Sequence, residues 1–402
     1  MSNQNAKRNI GTKRNVGIVI LVVLVVAAIA GGYTYYVNAG NTSTTQILTS
    51  SMQSMTSSVT SGEPVALLGA GASFPAPLVQ KWTVEYNKLY PWVTINYNPI
   101  GSGGGIQQIT QKTVDFGASD APLSDAQLQN ATGLTLMPET LGGVAITYDL
   151  QSLGISNNTV INFTGDVLAQ IYMGKITQWN DPAIAALNPN LQLPKAAITA
   201  VHRSDGSGTT YAFTDYLSAV NPDWKTTVGT STSVTWPVDK TATGLGAKGN
   251  AGVAGTVVNT PGSIGYVDVI YAAGNNLGIG AVKNAAGNFI VPNLQTIANA
   301  AAAATGTPSP NDLRLHIVNA AGDQSYPIAT YTYFLVYREM SNQPSMTKSK
   351  AQALAKFLWW AIHDGQKYAP DLIYAPLPAN IVSADEQLLG SLTYQGQALI
   401  TR

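Results

Sequence analysis

Four fragments rich in glycine and hydroxyl residues hold most of the chemistry this chain can offer. They are Gly69-Ala-Gly-Ala-Ser-Phe-Pro-Ala-Pro77, Gly101-Ser-Gly-Gly-Gly105, Val114-Asp-Phe-Gly-Ala-Ser-Asp120 and Arg203-Ser-Asp-Gly-Ser-Gly-Thr209. Each supplies small O–H donors and unobstructed backbone N–H groups, because glycine lets the backbone approach a guest closely. A glycine loop that opens a helix leaves N–H groups unpaired beside a partial positive charge, so an anion settles there. Arg203 adds a forked donor that is always charged, and Asp205 stands where it can orient that fork. Asp120 is the informative exception. A carboxylate facing an oxyanion repels it unless the anion still carries a proton to donate, and an acceptor aimed at an acceptor costs several kcal/mol. Taken one at a time, these residues also suit structural roles, with Ser102 as a helix cap, Asp120 as a capping or surface acid, and Arg203–Thr209 as a turn.

The flanking segments say how such residues are positioned. Val65–Leu68 is a short apolar run ending in a tight loop. Leu78, Trp82, Tyr86 and Leu89 fall at helical spacing over Pro77–Tyr90, and Trp92–Tyr97 alternates as a strand. A helix is expected after Gly101–Gly105, then a strand from Val114, a buried strand over Gly143–Tyr148 and a helix over Gly165–Ile171. Ala197–His202 reads as a strand entering Arg203–Thr209, and a helix runs from Thr209 to Val220. A strand at Gly262–Val267, an Ala-rich helix at Ala298–Ala304, a long strand at Ile328–Tyr337 and a strong helix at Met346–His363 complete the pattern. Alternating strands and helices predict an α/β fold with parallel strands, and ligands of such folds bind at the carboxyl ends of the strands.

Other matches are weak. Gly244-Leu-Gly-Ala-Lys-Gly249 satisfies G-x-G-x-x-G without a clear preceding strand, and Asn250 follows where a P-loop needs Lys. His202, His316 and His363 stand apart, without metal-ligand spacing, although His202 adjoins Arg203. No G-x-S-x-G surrounds Ser207. Neither a metal nor a cofactor is expected. Lys and Arg balance Asp and Glu at 21 each, so no overall field draws nucleic acid, and charged residues are only 10% of the chain. There is no Cys, which excludes disulfides and a lipidated cysteine anchor. At 402 residues, with 45% hydrophobic, the chain is long enough for about two domains.

The N-terminus reads separately. Residues 1–15 are basic, with Lys7, Arg8, Lys13 and Arg14, and 16–37 form an uncharged apolar run of membrane-spanning length. The charge bias puts the rest of the chain outside the cytoplasm. Small residues around Ala28–Gly31 also suit signal cleavage, while Tyr33, Tyr35 and Tyr36 suit an outer interface. A retained anchor is the preferred expectation, with a secreted protein the alternative. Residues 38–65 contain a Ser/Thr-rich stalk. Sequons occur at Asn41, Asn130, Asn157 and Asn162.

The same fragments, in this order, resemble the substrate-binding protein of phosphate ABC transporters, a type II periplasmic-binding-protein family. Ile171-Tyr-Met-Gly-Lys-Ile-Thr-Gln-Trp-Asn180 and Gly262-Ser-Ile-Gly-Tyr-Val267 share in the resemblance, which spans roughly Ala66–Leu389. It implies two α/β lobes, each a mainly parallel sheet flanked by helices: residues 66–140 plus 325–402, and residues 141–324. It implies one inorganic phosphate closed between them, a monomer, delivery to a membrane permease, and no covalent chemistry. By the resemblance, Ser73 (often Thr in the family), the Phe74 N–H and Ser102 bind from one lobe, with Asp120 taking the phosphate proton. Arg203, Ser207, Gly208 and Thr209 bind from the other, and Asp205 holds Arg203. Gly103 departs from the family, whose members often carry a second Ser there. Phosphate keeps a proton at neutral pH and sulfate does not, which suits Asp120. A phosphatase on the same anion pocket, or a site for sulfate or another tetrahedral oxyanion, are the alternative readings.

Overall fold

Strand β1 (Val65–Gly71) alternates between core and surface at Val65–Leu68, then runs fully buried through the glycines. It is longer than the apolar run predicts because it is a central strand, paired in parallel with β2 (Val93–Asn98) on one side and β3 (Phe116–Ser119) on the other. Helix α1 (Ala76–Leu89) makes the crossover between β1 and β2, and buries Leu78, Trp82 and Tyr86 as its spacing predicts. Leu89 does not join them: at the last turn of α1 it is 56% exposed. The Trp82 indole donates to the Gly365 carbonyl at 2.7 Å, so this large ring is buried with its polar atom satisfied. Helix α2 (Ser102–Thr110) begins directly at Ser102, so the glycines after it form a first helical turn instead of a loop.

The computed structural model describes residues 62–304 and 308–400. The expected membrane-spanning run at 16–37 and nearly all of the stalk lie outside the described residues, and no described helix is long and apolar enough to cross a membrane.

After β4 (Leu134–Tyr148) the chain continues through α3 (Gly165–Tyr172), β5 (Thr199–Arg203), α4 (Gly208–Val220), β6 (Gly244–Ala247) and α5 (Gly249–Val258). It then forms β7 (Ser263–Asp268), α6 (Val269–Gly274), β8 (Gly278–Ile279), a helix at Leu294–Ala302, β9 (Ala329–Tyr337) and α7 (Lys348–Ile362). The nine strands order as β2-β1-β3-β9-β4-β7-β5-β6, with β8 also on β4. Two parallel triplets, β2-β1-β3 and β7-β5-β6, are the cores of two lobes. Between them β9 and β4 run antiparallel to each other and to their outer neighbours. The sheet is therefore mixed, which corrects the expectation of mainly parallel lobes. An apolar pattern carries no strand direction, so it cannot tell an antiparallel neighbour from a parallel one.

β4 explains how the halves connect. All its residues are buried, so it shows no alternation. Its partner is β9 from Leu134 to Gly143 and β7 from Val144 onward, so a single strand belongs to both lobes. Within the β4–β9 pair the register shifts: Thr332 opposes Thr140 and Tyr333 opposes Pro138, leaving Glu139 as the extra residue of a β-bulge.

Candidate functional site

The site forms where the carboxyl ends of both parallel triplets face each other. From one lobe come the turn after β1 (Ser73 and Phe74), the start of α2 (Ser102) and the residue after β3 (Asp120). From the other come the β5–α4 turn (Arg203–Thr209) and the starts of α5 and α6. Four helix N-termini, those of α1, α2, α4 and α5, meet here. Their unpaired N–H groups make the cleft attractive to an anion before any side chain is considered.

The lobes are closed on each other. Ser102 Oγ accepts from Gly208 N at 3.0 Å across the cleft and from Asp120 N at 3.2 Å on its own side. Gly103 N donates to Gly206 O at 2.9 Å. A Cβ on Gly103 would meet Gly206 Cα at 3.0 Å, which accounts for glycine at this departure from the family pattern. Gly101 has φ +94°, and a side chain there would overlap the Asp205 carboxylate. Ser73, Ser102, Asp120, Arg203, Ser207 and Thr209 are all no more than 5% exposed.

Arg203 is fixed by Asp205, whose Oδ1 accepts Nε at 2.7 Å while Oδ2 accepts Nη2. Gly249 N also donates to Asp205 at 3.0 Å. Burial works against ionisation of Asp205, but Arg203 outweighs it and holds the carboxyl below its usual range. Arg203 Nη1 reaches Thr209 Oγ1 at 3.4 Å, and Thr209 reaches Asp120 Oδ2 at 3.4 Å. Asp120 accepts from Thr209 and has no ion pair among the described residues. Burial pushes its carboxyl up to about 7, against the opposing pull of Arg203, Thr332 and Thr209. Desolvation is the dominant cause, so this acid is poised between acceptor and donor near neutrality. The other acid of the same fragment, Asp115, is structural. It accepts both Lys350 Nζ at 2.8 Å and the Leu68 N–H at 2.8 Å.

The remaining predicted residues are placed as follows. Ser207 caps α4 by accepting from Thr210 N at 3.0 Å, which leaves its own proton to donate. Phe74 presents its carbonyl to Tyr374 Oη at 2.7 Å, and its N–H has no partner among the described residues. Ser73 Oγ accepts from Asn250 N at 3.0 Å and Asn250 Nδ2 at 3.1 Å, and Asn250 Nδ2 also reaches Thr209 Oγ1 at 3.1 Å. Thus all nine residues singled out from sequence lie in or against one cleft. His202 lies behind it, between the Arg203 carbonyl and Asp239, with its ring stacked on Trp236.

Sequence reasoning missed Asn250, Tyr271, Thr332 and Glu139. Asn250 bridges the lobes, and Tyr271 Oη donates to the Ser73 carbonyl at 2.7 Å from the opposite lobe. The one local signal for Asn250 is its place just inside a glycine-opened helix, where the pattern reads only as a failed P-loop. Among the described residues no group of three His, Cys, Asp or Glu is set to hold a metal.

A two-lobed sheet with its site between facing strand ends defines a class of solute-binding protein, and the PBP superfamily domain model matches residues 58–364. The phosphate-binding protein PstS of Xylella fastidiosa is 44% identical over 80% of this chain and 84% of its own. PstS of Pasteurella multocida is 42% identical over 79% and 87%. PstS of Methanocaldococcus jannaschii is 36% identical over 77% and 82%. The chain belongs to the PstS family of phosphate-binding proteins. The phosphate-binding protein of Stenotrophomonas maltophilia shares the fold at 21% identity, with TM-score 0.61 over 80% of this chain and 92% of that one. So does the phosphate-bound periplasmic protein PfluDING, at 20% identity and TM-score 0.62 over 81% and 93%.

Proposed function

We propose that this protein binds inorganic phosphate between its two lobes on the outer side of the cell membrane and delivers it to an ABC-type permease. It is a binding protein and not an enzyme, a reading supported by its PstS relatives, which are phosphate-binding proteins. The carrying observation is the buried Asp120 carboxyl of one lobe meeting Thr209 of the other, whose hydroxyl lies 3.4 Å from both Asp120 Oδ2 and Arg203 Nη1, with Ser102 Oγ beside the Asp120 backbone. Arg203 and Asp205 neutralise each other, so the cleft has no surplus positive charge. Its grip on an anion comes from N–H and O–H dipoles, including Ser73, the Phe74 N–H, Ser102, Ser207, Gly208 and Thr209, while Asp120 receives the proton that phosphate retains and sulfate lacks.

The lobes are assigned as 66–140 plus 325–402, and 141–324, in line with the change of partner in β4 at Gly143/Val144. Closure about phosphate follows if the closed state binds it better than the open state does. Residues 16–37 are proposed as an N-terminal membrane anchor and 38–65 as the stalk that carries a monomeric binding unit to the permease.

Calorimetry with phosphate and sulfate at neutral pH tests the reading. The full chain binds phosphate and discriminates against sulfate by at least about a hundredfold; equal affinity for the two defeats it. Asp120→Asn reduces that discrimination, because an amide donates to an oxyanion that has no proton. The same substitution has an opposite effect on stability. The folded carboxyl titrates above its ordinary value of 3.8, so its stability contribution is full below about 4 and is lost as pH rises to about 7. Relative to wild type, the Asn variant therefore gains thermal stability across that interval and keeps the gain above it. Thermal unfolding at a series of pH values checks this.

A further inference from the structure

Glu139 is a fully buried acid that the phosphate reading leaves unused. It is 0% exposed, and it is the extra residue of the bulge in the β4–β9 pair that joins the lobes. Bulges beside sites re-aim side chains. Here the Glu139 Oε1 lies 2.9 Å from Thr332 Oγ1, and the same hydroxyl lies 3.2 Å from Asp120 Oδ1. Thr332 has one proton and so donates to only one of the two carboxyls. The second close oxygen pair is a hydrogen bond only if the other carboxyl supplies the proton. Asp120 has Arg203 and Thr209 to favour its charge, whereas no ion pair reaches Glu139 among the described residues and its Oε2 has no hydrogen-bond partner. A buried carboxylate with one bare oxygen is costly, so the proton belongs on Glu139. The chain of donation is then Glu139 to Thr332 to Asp120.

We propose that Glu139 is a positioning residue for the phosphate site: as a neutral acid in the bulge, it orients Thr332 toward Asp120 and keeps that carboxylate an acceptor for the ligand's proton. This rests on the phosphate reading given above. The groups bearing on Glu139 from neighbouring elements are Asp120 after β3, Thr332 in β9 and Tyr97 in β2. Gln366, in the turn after α7, donates to the Glu139 carbonyl at 2.9 Å. Asp120 in turn faces Arg203 and Asp205 of the other lobe, and Asp268. None of these brings a cation to Glu139. Burial pushes the Glu139 carboxyl up to about 8, with Thr332 opposing and Asp120 adding to the rise. Above that pH Glu139 loses its proton, the Thr332 hydroxyl is contested, and two carboxylates share one dry bulge beside an anion. Phosphate affinity falls as a result.

The test is phosphate affinity against pH for the full-length wild type and Glu139→Gln, whose amide still donates to Thr332 and has no proton to lose. Between about pH 7.5 and 9.5 the wild type loses on the order of tenfold more affinity than the Gln variant. The ligand's own titration is common to both and cancels. Thr332→Val flattens the profile in the same way, and Thr332→Ser restores the wild-type slope. Parallel profiles for wild type and Glu139→Gln overturn the inference. Ligand-free thermal unfolding separates this outcome from failure of the phosphate reading. The stability gap between Gln variant and wild type widens from about pH 4.5 to 8 and then levels, because the folded pKa lies above the ordinary 4.5. A gap that does not change with pH overturns the proton assignment even in a protein that binds no phosphate.

Discussion

Arg203→Ala lowers phosphate affinity by roughly a hundredfold or more, the loss of at least one charge-assisted hydrogen bond of about 1.5–3 kcal/mol together with the orientation it gives its neighbours. The side chain of Arg203 is 1% exposed and its guanidinium is held at Nε and Nη2 by Asp205, so its remaining donor edge is fixed in place. The substitution also leaves the half-buried Asp205 carboxylate without its ionic partner, which lowers stability. These effects separate in a double variant. Arg203→Ala with Asp205→Asn recovers most of the stability, since the orphaned charge is gone, but recovers none of the affinity. Calorimetry and denaturant unfolding on the single and double variants check both halves. Affinity restored by the second substitution would show that Arg203 acts only by balancing Asp205.

Gly208→Ala has an effect of similar size for a different reason. A Cβ at Gly208 would stand 2.5 Å from Asp120 Cβ and 2.7 Å from Ala121 N, both in the opposite lobe. Within its own lobe the change is harmless: Gly208 begins α4, and Ala is a better helix residue than Gly. The clash therefore exists only when the lobes are shut. Affinity falls by about a hundredfold or more, because a ligand that prefers the closed state has lost that state. Ligand-free thermal stability does not fall. Small-angle scattering checks the cause: phosphate compacts the wild type and leaves the Ala variant unchanged. Wild-type affinity in Gly208→Ala would mean that the interlobe contact at Asp120 does not accompany binding.

Much of this site is legible in the sequence because each of its turns needs residues that little else requires. Gly101 at positive φ with Ser102 at the start of α2, and the Arg203–Asp205 pair with Ser207 capping α4, are two clusters of local marks, each within a few residues. Family resemblance then binds the separate marks into one pocket. What escapes is long-range or directional. Asn250 meets Ser73 across 177 residues of chain, and nothing near either residue announces the other. Tyr271 reaches the Ser73 carbonyl in the same way.

Glu139 is invisible for a further reason. It sits in a strand buried along its whole length, where periodicity has nothing to report, and its aim depends on a register shift against Thr332 and Tyr333 almost 200 residues away. The mixed sheet escapes for a related cause: an apolar strand reads the same in either direction. Leu89 keeps the helical spacing of Leu78, Trp82 and Tyr86, but the core ends one turn before it does. The bulge and the shared strand β4 tie the proton state of the pocket to the segment that links the lobes, a coupling that local sequence cannot express.

If the proposed function holds, a proton-bearing tetrahedral anion sits between neutral dipoles from both lobes and donates its hydrogen to Asp120. A crystal structure of the phosphate complex tests it most directly. The expected result is a phosphate oxygen at short hydrogen-bond distance, about 2.5–2.7 Å, from the Asp120 carboxylate, with Ser102, Arg203 and Thr209 on the remaining oxygens. Phosphate bound elsewhere, or bound in the cleft with the Asp120 side chain turned away from it, contradicts the account.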